Sequence, residues 1–229
     1  AIYLSDLAIK NGARIIKHQT HIAHEEMSVE AKKIIPGNAN SSIFSIIKRY
    51  SLSYRDEKKL MNYIKQKKCI FISTPFCKAA VDRLVEFKIP LFKIGSGECN
   101  NHPLLEYIAR KGKPVILSTG MNDIESVQSA VDIFRSFHVP FALLHCTSVY
   151  PTPYELVRLG GITELAMTFT DAVVGLSDHT IDNYSSLGAV ALGASIIERH
   201  FTDTKDRDGP DIEVSMDPGD LQMLLKGSK

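Results

Sequence analysis

The chain carries almost no excess of charge: 27 Lys and Arg stand against 26 Asp and Glu, a formal net charge of +1 over 229 residues. That balance gives no electrostatic case for nucleic acid or a membrane surface as the main partner. Short basic bursts, as in IKRYSLSYRDEKKL and IKQKK, read as solvated helix faces. Cysteine is scarce, and the four present (Cys69, Cys77, Cys99, Cys146) show no CxxC spacing. This argues against a disulfide framework or a zinc finger, and for reduced thiols in a cytoplasmic protein. No apolar run reaches the length of a membrane span, and no basic-then-apolar leader opens the chain. An initiator methionine is also missing. The sequence opens on a helix-like pattern and ends in LQMLLKGSK, so it reads as a fragment or a trimmed form of a longer protein.

What the chain does have is short β-rich apolar runs: RIIKHQT (14–20), CIFISTP (69–75), LFKIGSG (91–97), PVILSTG (114–120), FALLHCTS (141–148), AVVGLSDHT (172–180) and SIIERHFT (195–202). Near-continuous apolar character predicts strands buried on both faces, as in parallel sheets. Between them lie amphipathic helical stretches at 77–87, 102–112 and 123–137, with Asn122 as N-cap of the last and Gly112 as the stop of the second. Residues 21–68 break the rhythm with a long insert containing a helix capped at Ser53. Insertions of that length after a strand are usually functional loops.

Strands alternating with helices mean a parallel α/β fold. Polar residues cluster at the C-terminal end of nearly every strand, where a (β/α)8 TIM barrel assembles its active site. A doubly wound sheet would concentrate its chemistry at one or two crevice loops instead. The expectation is one incomplete TIM-barrel catalytic domain over residues 1–229. It lacks its first strand, because the opening helix IYLSDLAIKNG is the one that would follow it.

Residues i and i+2 of a strand share a face. Ser177 and His179 in LSDH therefore point one way, as do Glu198 and His200 in ERHF. A lone strand-end histidine is more often a core residue than a ligand. Two on neighbouring strand ends suit a divalent ion such as Mn²⁺ with open positions, and Mg²⁺ or Co²⁺ would fit the same pair. His145 in LLHCT reads as packing or hydrogen bonding. Lys17 and Lys93 lie inside apolar strands, where an unpaired ammonium costs several kcal/mol. They call for an anion or for a structural carboxylate such as Glu98 or Glu198, with Gln19 on the face of Lys17. Ser96, Ser118, Thr74 and Ser177 add a ring of small donors. Together these describe a site for a compact, strongly anionic ligand carrying phosphate and carboxylate.

The segments KHQTHIAHEEMS, IPGNA, FISTPF, KIGSGECNN, STGMN, HCTSVYPTPYE, LSDHT, LGASIIERHFT and GPDIEVSM, in this order over the whole chain, resemble the bacterial sialic acid synthases, in particular the N-acetylneuraminate and legionaminic acid branches. That resemblance implies condensation of phosphoenolpyruvate with N-acetylmannosamine or a related N-acyl amino sugar, with release of phosphate. It implies His179 and His200 as Mn²⁺ ligands that polarise the sugar aldehyde. It places phosphoenolpyruvate on Lys17, Thr74, Lys93, Ser96, Ser118, Ser148 and Ser177, and the sugar on Gln19, Asn38, Tyr150 and Asp211. Glu98 would handle the attacking water and Glu198 a proton near the metal. The family pattern further implies a first-strand glutamate and a C-terminal antifreeze-like domain, both outside this sequence. In the family that domain completes the partner's site in a homodimer. Ser148 stands where bacterial relatives often carry Asn, which would loosen phosphoenolpyruvate contacts.

Two other readings compete. A Schiff-base keto-acid aldolase would use Lys17 or Lys93, and a non-catalytic barrel would merely bind sugar phosphates.

Overall fold

The computed structural model describes residues 1–35, 40–209 and 211–229. Among them, β1 (Ile15–Thr20), β2 (Ile70–Pro75), β3 (Phe92–Ile94), β4 (Val115–Ser118), β5 (Phe141–Cys146), β6 (Val173–Asp178) and β7 (Ile196–Arg199) form one parallel sheet. Its strands are hydrogen-bonded in strict chain order. Each connection returns over the outside as a helix: α3 (Tyr54–Gln66), α4 (Lys78–Glu86), α5 (His102–Ala109), α6 (Ile124–Ser136), α7 (Gly160–Thr168) and α8 (Tyr184–Ala191). A further helix, α2 (Ile43–Tyr50), lies in the insert after β1. The flanking helices are α1 (Ile2–Lys10) and α9 (Pro218–Gly227).

Alternation divides the side chains of each strand into two environments. Outward residues such as Phe71, Phe92, Ile94, Val115 and Leu117 are buried against Leu84, Leu105, Ile108, Val131 and Phe134 of the helices. This layer is the core. The inward residues are mixed, and their polar members sit toward the strand ends. Lys17 of β1 comes within 3.7 Å of Glu198 on β7, so the sheet curls into a partial barrel. Among the described residues no ladder joins β1 to β7. That seam is closed from outside by α1 and α9, where Ala8 packs with Leu221 and Leu224 and Gln222 donates to Asn11 at 2.6 Å. Gly12, at φ 107°, lets Leu225 approach: a Cβ there would stand 2.7 Å from its Cδ1.

Helix ends follow local chemistry. Ser53 caps α3 as expected, its Oγ accepting from Asp56 N at 3.1 Å. The cap of α6 is Asp123, accepting from Ser126 N at 2.8 Å, and not Asn122. Asn122 instead donates to the Ser96 and Gly120 carbonyls, so its amide ties two strand-end turns together. Helix α5 ends at Ala109, short of Gly112, because Lys111 and Gly112 tighten into i to i−3 bonds before the glycine reverses the chain at φ 66°.

One polar cluster is buried between sheet and helices. Glu57 of α3 accepts from Arg83 at 3.0 Å and from Thr20, whose hydroxyl also meets Ser73 at 2.7 Å. His18 Nε2 lies buried beside it without a hydrogen-bond partner. Burial holds this imidazole down at about 4, with the charges of His21 and Lys17 adding to the effect.

Candidate active site

Lys93 projects from β3 into the barrel and is 2% exposed. Its ammonium donates to Ser118 Oγ on β4 at 2.7 Å and to the Ile94 carbonyl at 2.9 Å. It lies 3.7 Å from Glu198 Oε2, across the interior on β7. Lys17 approaches the other carboxylate oxygen at 3.7 Å, and Ser177 donates to that oxygen at 3.1 Å. Burial pushes the Glu198 carboxyl up, but Lys93, Lys17 and the Ser177 hydroxyl outweigh it and hold the group below the usual carboxylate range. Burial likewise brings Lys93 down to about 8, against the pull of Glu198. Two ammoniums facing one carboxylate leave a net positive, hydroxyl-lined interior, which is what a compact anion requires.

The turns after β3 and β4 form the next part of the rim. Ser96 Oγ accepts from Gly120 N at 3.0 Å. Gly120 is held between strands: a Cβ there would stand 2.4 Å from Ser148 Oγ and 3.0 Å from the Cys146 carbonyl. Thr74 is buried at the end of β2, in register with Gln19 of β1, which is exposed at the mouth. Glu98 accepts from Asn101 Nδ2 at 2.6 Å, the side chain that caps α5. Among the described residues no hydrogen bond or ion pair joins Glu98 to either lysine, so the carboxylate in the cluster is Glu198. Asn38 lies outside the described residues.

His179 follows β6 and His200 follows β7, each one residue past its strand, and their ring centroids are 5.5 Å apart. Tyr150 closes the group, with its hydroxyl 2.8 Å from His179 Nε2 and its ring 6.1 Å from that of His200. His179 Nδ1 faces the Thr147 carbonyl at 3.2 Å. Asp211, half exposed, brings a carboxylate oxygen to 3.7 Å from His200 Nδ1. Burial lowers His179 to about 4, with His200 adding repulsion, and burial lowers His200 as well. Both imidazoles are therefore neutral near pH 7 and have lone pairs to offer a metal. Among the described residues no group of three or more His, Cys, Asp and Glu side chains is arranged around a single ion position. The donor set is two imidazoles with other positions open, and that chemistry fits a divalent ion shared with substrate and water.

His145 points away from this group. Its Nε2 lies 2.8 Å from the Val157 carbonyl, and its ring covers Gly161, where a Cβ would stand 2.6 Å from Nδ1. All four cysteines are free and buried. Cys146 lines the site, with its sulfur 3.9 Å from His179 Nδ1. The pair absent from the sequence reading is Asp178 and Arg199, directly opposite each other on the outward faces of β6 and β7. A signal was present: each precedes one of the two histidines, and a charged residue on an outward strand face needs a buried partner.

A model of the NeuB family matches residues 4–229. The chain belongs to the NeuB family. Among its NeuB relatives, N,N'-diacetyllegionaminic acid synthase of Campylobacter jejuni is 38% identical over 96% of this chain and 68% of its own length. An uncharacterized protein of Methanocaldococcus jannaschii is 40% identical, over 95% of this chain and 62% of its own length. The N-acetylneuraminic acid (sialic acid) synthetase of Leptospira borgpetersenii, solved with citrate, superposes with a TM-score of 0.90 at 31% identity. That match covers 99% of this chain and 76% of that one. The chain thus spans roughly two thirds of the length of these two curated relatives. Among the described residues no helix is long and apolar enough to cross a membrane.

Proposed function

We propose that this chain is the barrel portion of a synthase that joins phosphoenolpyruvate to an N-acyl amino sugar, giving a nonulosonate and phosphate. The supporting observation is the adjacency of two unlike subsites on the inner strand ends. A lysine-rich, hydroxyl-lined interior (Lys17, Lys93, Ser118, Ser177) lies beside a pair of neutral imidazoles (His179, His200), with Glu198 on the lysines and Tyr150 against the imidazoles.

On this reading Lys17 and Lys93 hold the phosphate and carboxylate, and Thr74, Ser96, Ser118, Ser148 and Ser177 supply neutral donors around them. Gln19, Tyr150 and Asp211 face the sugar. His179 and His200 would hold the divalent ion, Mn²⁺ with Mg²⁺ or Co²⁺ as alternatives, and the bound ion would polarise the aldehyde of the open-chain sugar. The C3 carbon of phosphoenolpyruvate adds to the aldehyde carbon, leaving positive charge at C2. Water adds to C2, and breakage of the C2–O bond releases phosphate. Glu98 takes up the proton that water gives up, and Glu198, held beside the histidines, relays a proton to the oxygen of the former aldehyde, so the proton lost by water balances the one gained there.

The test titrates phosphoenolpyruvate and Mn²⁺ calorimetrically into the chain, with and without EDTA, beside His179→Ala and His200→Ala. Phosphate release is then followed with N-acetylmannosamine and with a diacetylated amino sugar. The reading requires phosphoenolpyruvate binding in the wild type and loss of Mn²⁺ binding in both variants. A folded wild type that takes up neither ligand refutes it.

A Schiff-base aldolase has one observation behind it, the lowered Lys93. Borohydride with a keto acid would then trap a covalent adduct on Lys93, and EDTA would leave turnover intact. No adduct together with chelator-sensitive turnover removes that reading.

A further inference from the structure

We propose that the buried Asp178–Arg199 pair is a positioning device that sets the spacing of His179 and His200; the inference rests on the metal reading above for what those histidines hold. Asp178 and Arg199 are paired in register on neighbouring strands. Each is the residue just before a site histidine, so alternation turns the charged pair outward, behind the site, while the two rings turn inward.

The two side chains are 2% and 1% exposed, and their charged atoms lie 3.6 Å apart. Asp178 Oδ1 accepts from Thr180 N and Thr180 Oγ1, both at 2.9 Å, and Oδ2 accepts from Ser186 Oγ at 2.5 Å. Arg199 spreads its donors over the Thr180 and Asp182 carbonyls, Asn183 Oδ1 at 3.1 Å and the Val214 carbonyl at 3.3 Å. The segment carrying His179 is thus pinned on both sides. His200 is pinned through its own neighbour, and the loop carrying Asp211 is pinned three residues further on. One guanidinium holds all three stretches.

Stability alone does not account for this arrangement. Burying an ion pair costs more in lost hydration than apolar packing does, and apolar replacements are often as stable or more so. Val174, Leu176 and Ile197 show that the same outward faces accept apolar side chains. Arg199 also leaves its Nε buried without a partner. What charge adds is direction, because the rigid guanidinium fork holds three backbone carbonyls and Asn183 Oδ1 at set angles where a methyl group would slide. Groups that orient metal ligands characteristically change affinity about 10- to 100-fold when altered.

The test uses the whole chain and Co²⁺ as probe, well below the unfolding temperature. Arg199→Lys should bind Co²⁺ at least tenfold more weakly and shift its visible absorption band. Ser186→Ala, a milder change that removes one bond to Asp178, should move both in the same direction by less, and it keeps the test open if Arg199→Lys does not fold. Ile197→Val should lower the unfolding temperature without touching Co²⁺ binding. Phosphoenolpyruvate affinity in EDTA should stay within twofold in all three. Unchanged Co²⁺ affinity and spectrum in the folded Ser186→Ala and Arg199→Lys proteins overturn the inference and leave a merely structural pair. A wild type that takes up no Co²⁺ overturns the metal reading, and the inference with it.

Discussion

Lys93 on β3 and Glu198 on β7 meet across the interior of the partial barrel at 3.7 Å, strands apart in the sheet and far apart in the chain. Lys17 reaches the same carboxylate from β1. Among the described residues Glu198 is therefore the one carboxylate paired with these two buried or half-buried ammoniums.

Removing that charge should hurt stability, and an added anion should repair the loss. Breaking a buried pair by deleting one partner costs about 3–5 kcal/mol. Glu198→Gln should lower the unfolding temperature, and inorganic phosphate should raise it again by more than it raises the wild type. A thermal-shift series with and without phosphate checks this. Equal phosphate effects in both proteins would mean that the lysines do not form the anion site.

Lys93 gives stability and anion binding opposite pH dependences. Its folded value of about 8 lies below the ordinary lysine value of 10.5. Between those limits the unfolded chain holds the proton more tightly, so the Lys93 contribution to stability increases as pH rises from about 8 to 10.5. Anion binding needs the ammonium and should weaken over the same rise. Cys99, pushed up to about 11 by burial, acts in the opposite sense on stability. The difference between wild type and Lys93→Met, measured by denaturant unfolding at pH 7.5 and 9.5, isolates the lysine.

Acid should loosen the sheet at His18. Burial depresses this imidazole to about 4, so its contribution to stability is lost as pH falls from 6.5 towards 4, on the order of 3 kcal/mol. His18→Leu removes both the titration and the unpartnered Nε2. Its urea midpoint should fall less than that of the wild type between pH 6.5 and 4.5. Parallel lines for the two proteins would count against a buried neutral histidine.

Two glycines predict opposite outcomes for one substitution. At Gly175 an added Cβ would stand 2.2 Å from the Ile196 carbonyl, so Gly175→Ala must push β6 from β7 and should cost about 1–3 kcal/mol. At Gly160, in the first turn of α7, nothing lies within 4 Å, and Gly160→Ala should be neutral or gain up to about 1 kcal/mol. Thermal unfolding of the two variants side by side decides it.

Strand starts were legible to within a residue, because long apolar runs between turn signals leave little choice of register. Strand ends were not: the runs through Gly97, Gly120, Thr180 and Thr202 leave the sheet at Ile94, Ser118, Asp178 and Arg199. The residues past those points serve turns and the site, although their composition still looks like strand. Alternation makes the shared faces of Ser177 with His179 and of Glu198 with His200 legible, and the cost of a buried ammonium in an apolar strand marks Lys17 and Lys93. Which carboxylate meets the lysines was not legible, since Glu98 and Glu198 look alike in sequence and only the curvature of the sheet selects Glu198. Asp178 and Arg199 escaped notice because they face away from the site. Asn122 looked like a cap, yet its amide is used by two carbonyls of neighbouring turns.

The packing of α1 on α9 joins the two extremes of the chain, as in the bond from Gln222 to Asn11. A contact of such sequence separation carries nearly the largest loop-closure entropy this chain can incur. It should therefore form late, after the strands between have aligned. The approach of Lys17 to Glu198 lies on the same seam and waits on the same event, so ligand competence should be the last property recovered on refolding, behind the return of helical circular dichroism.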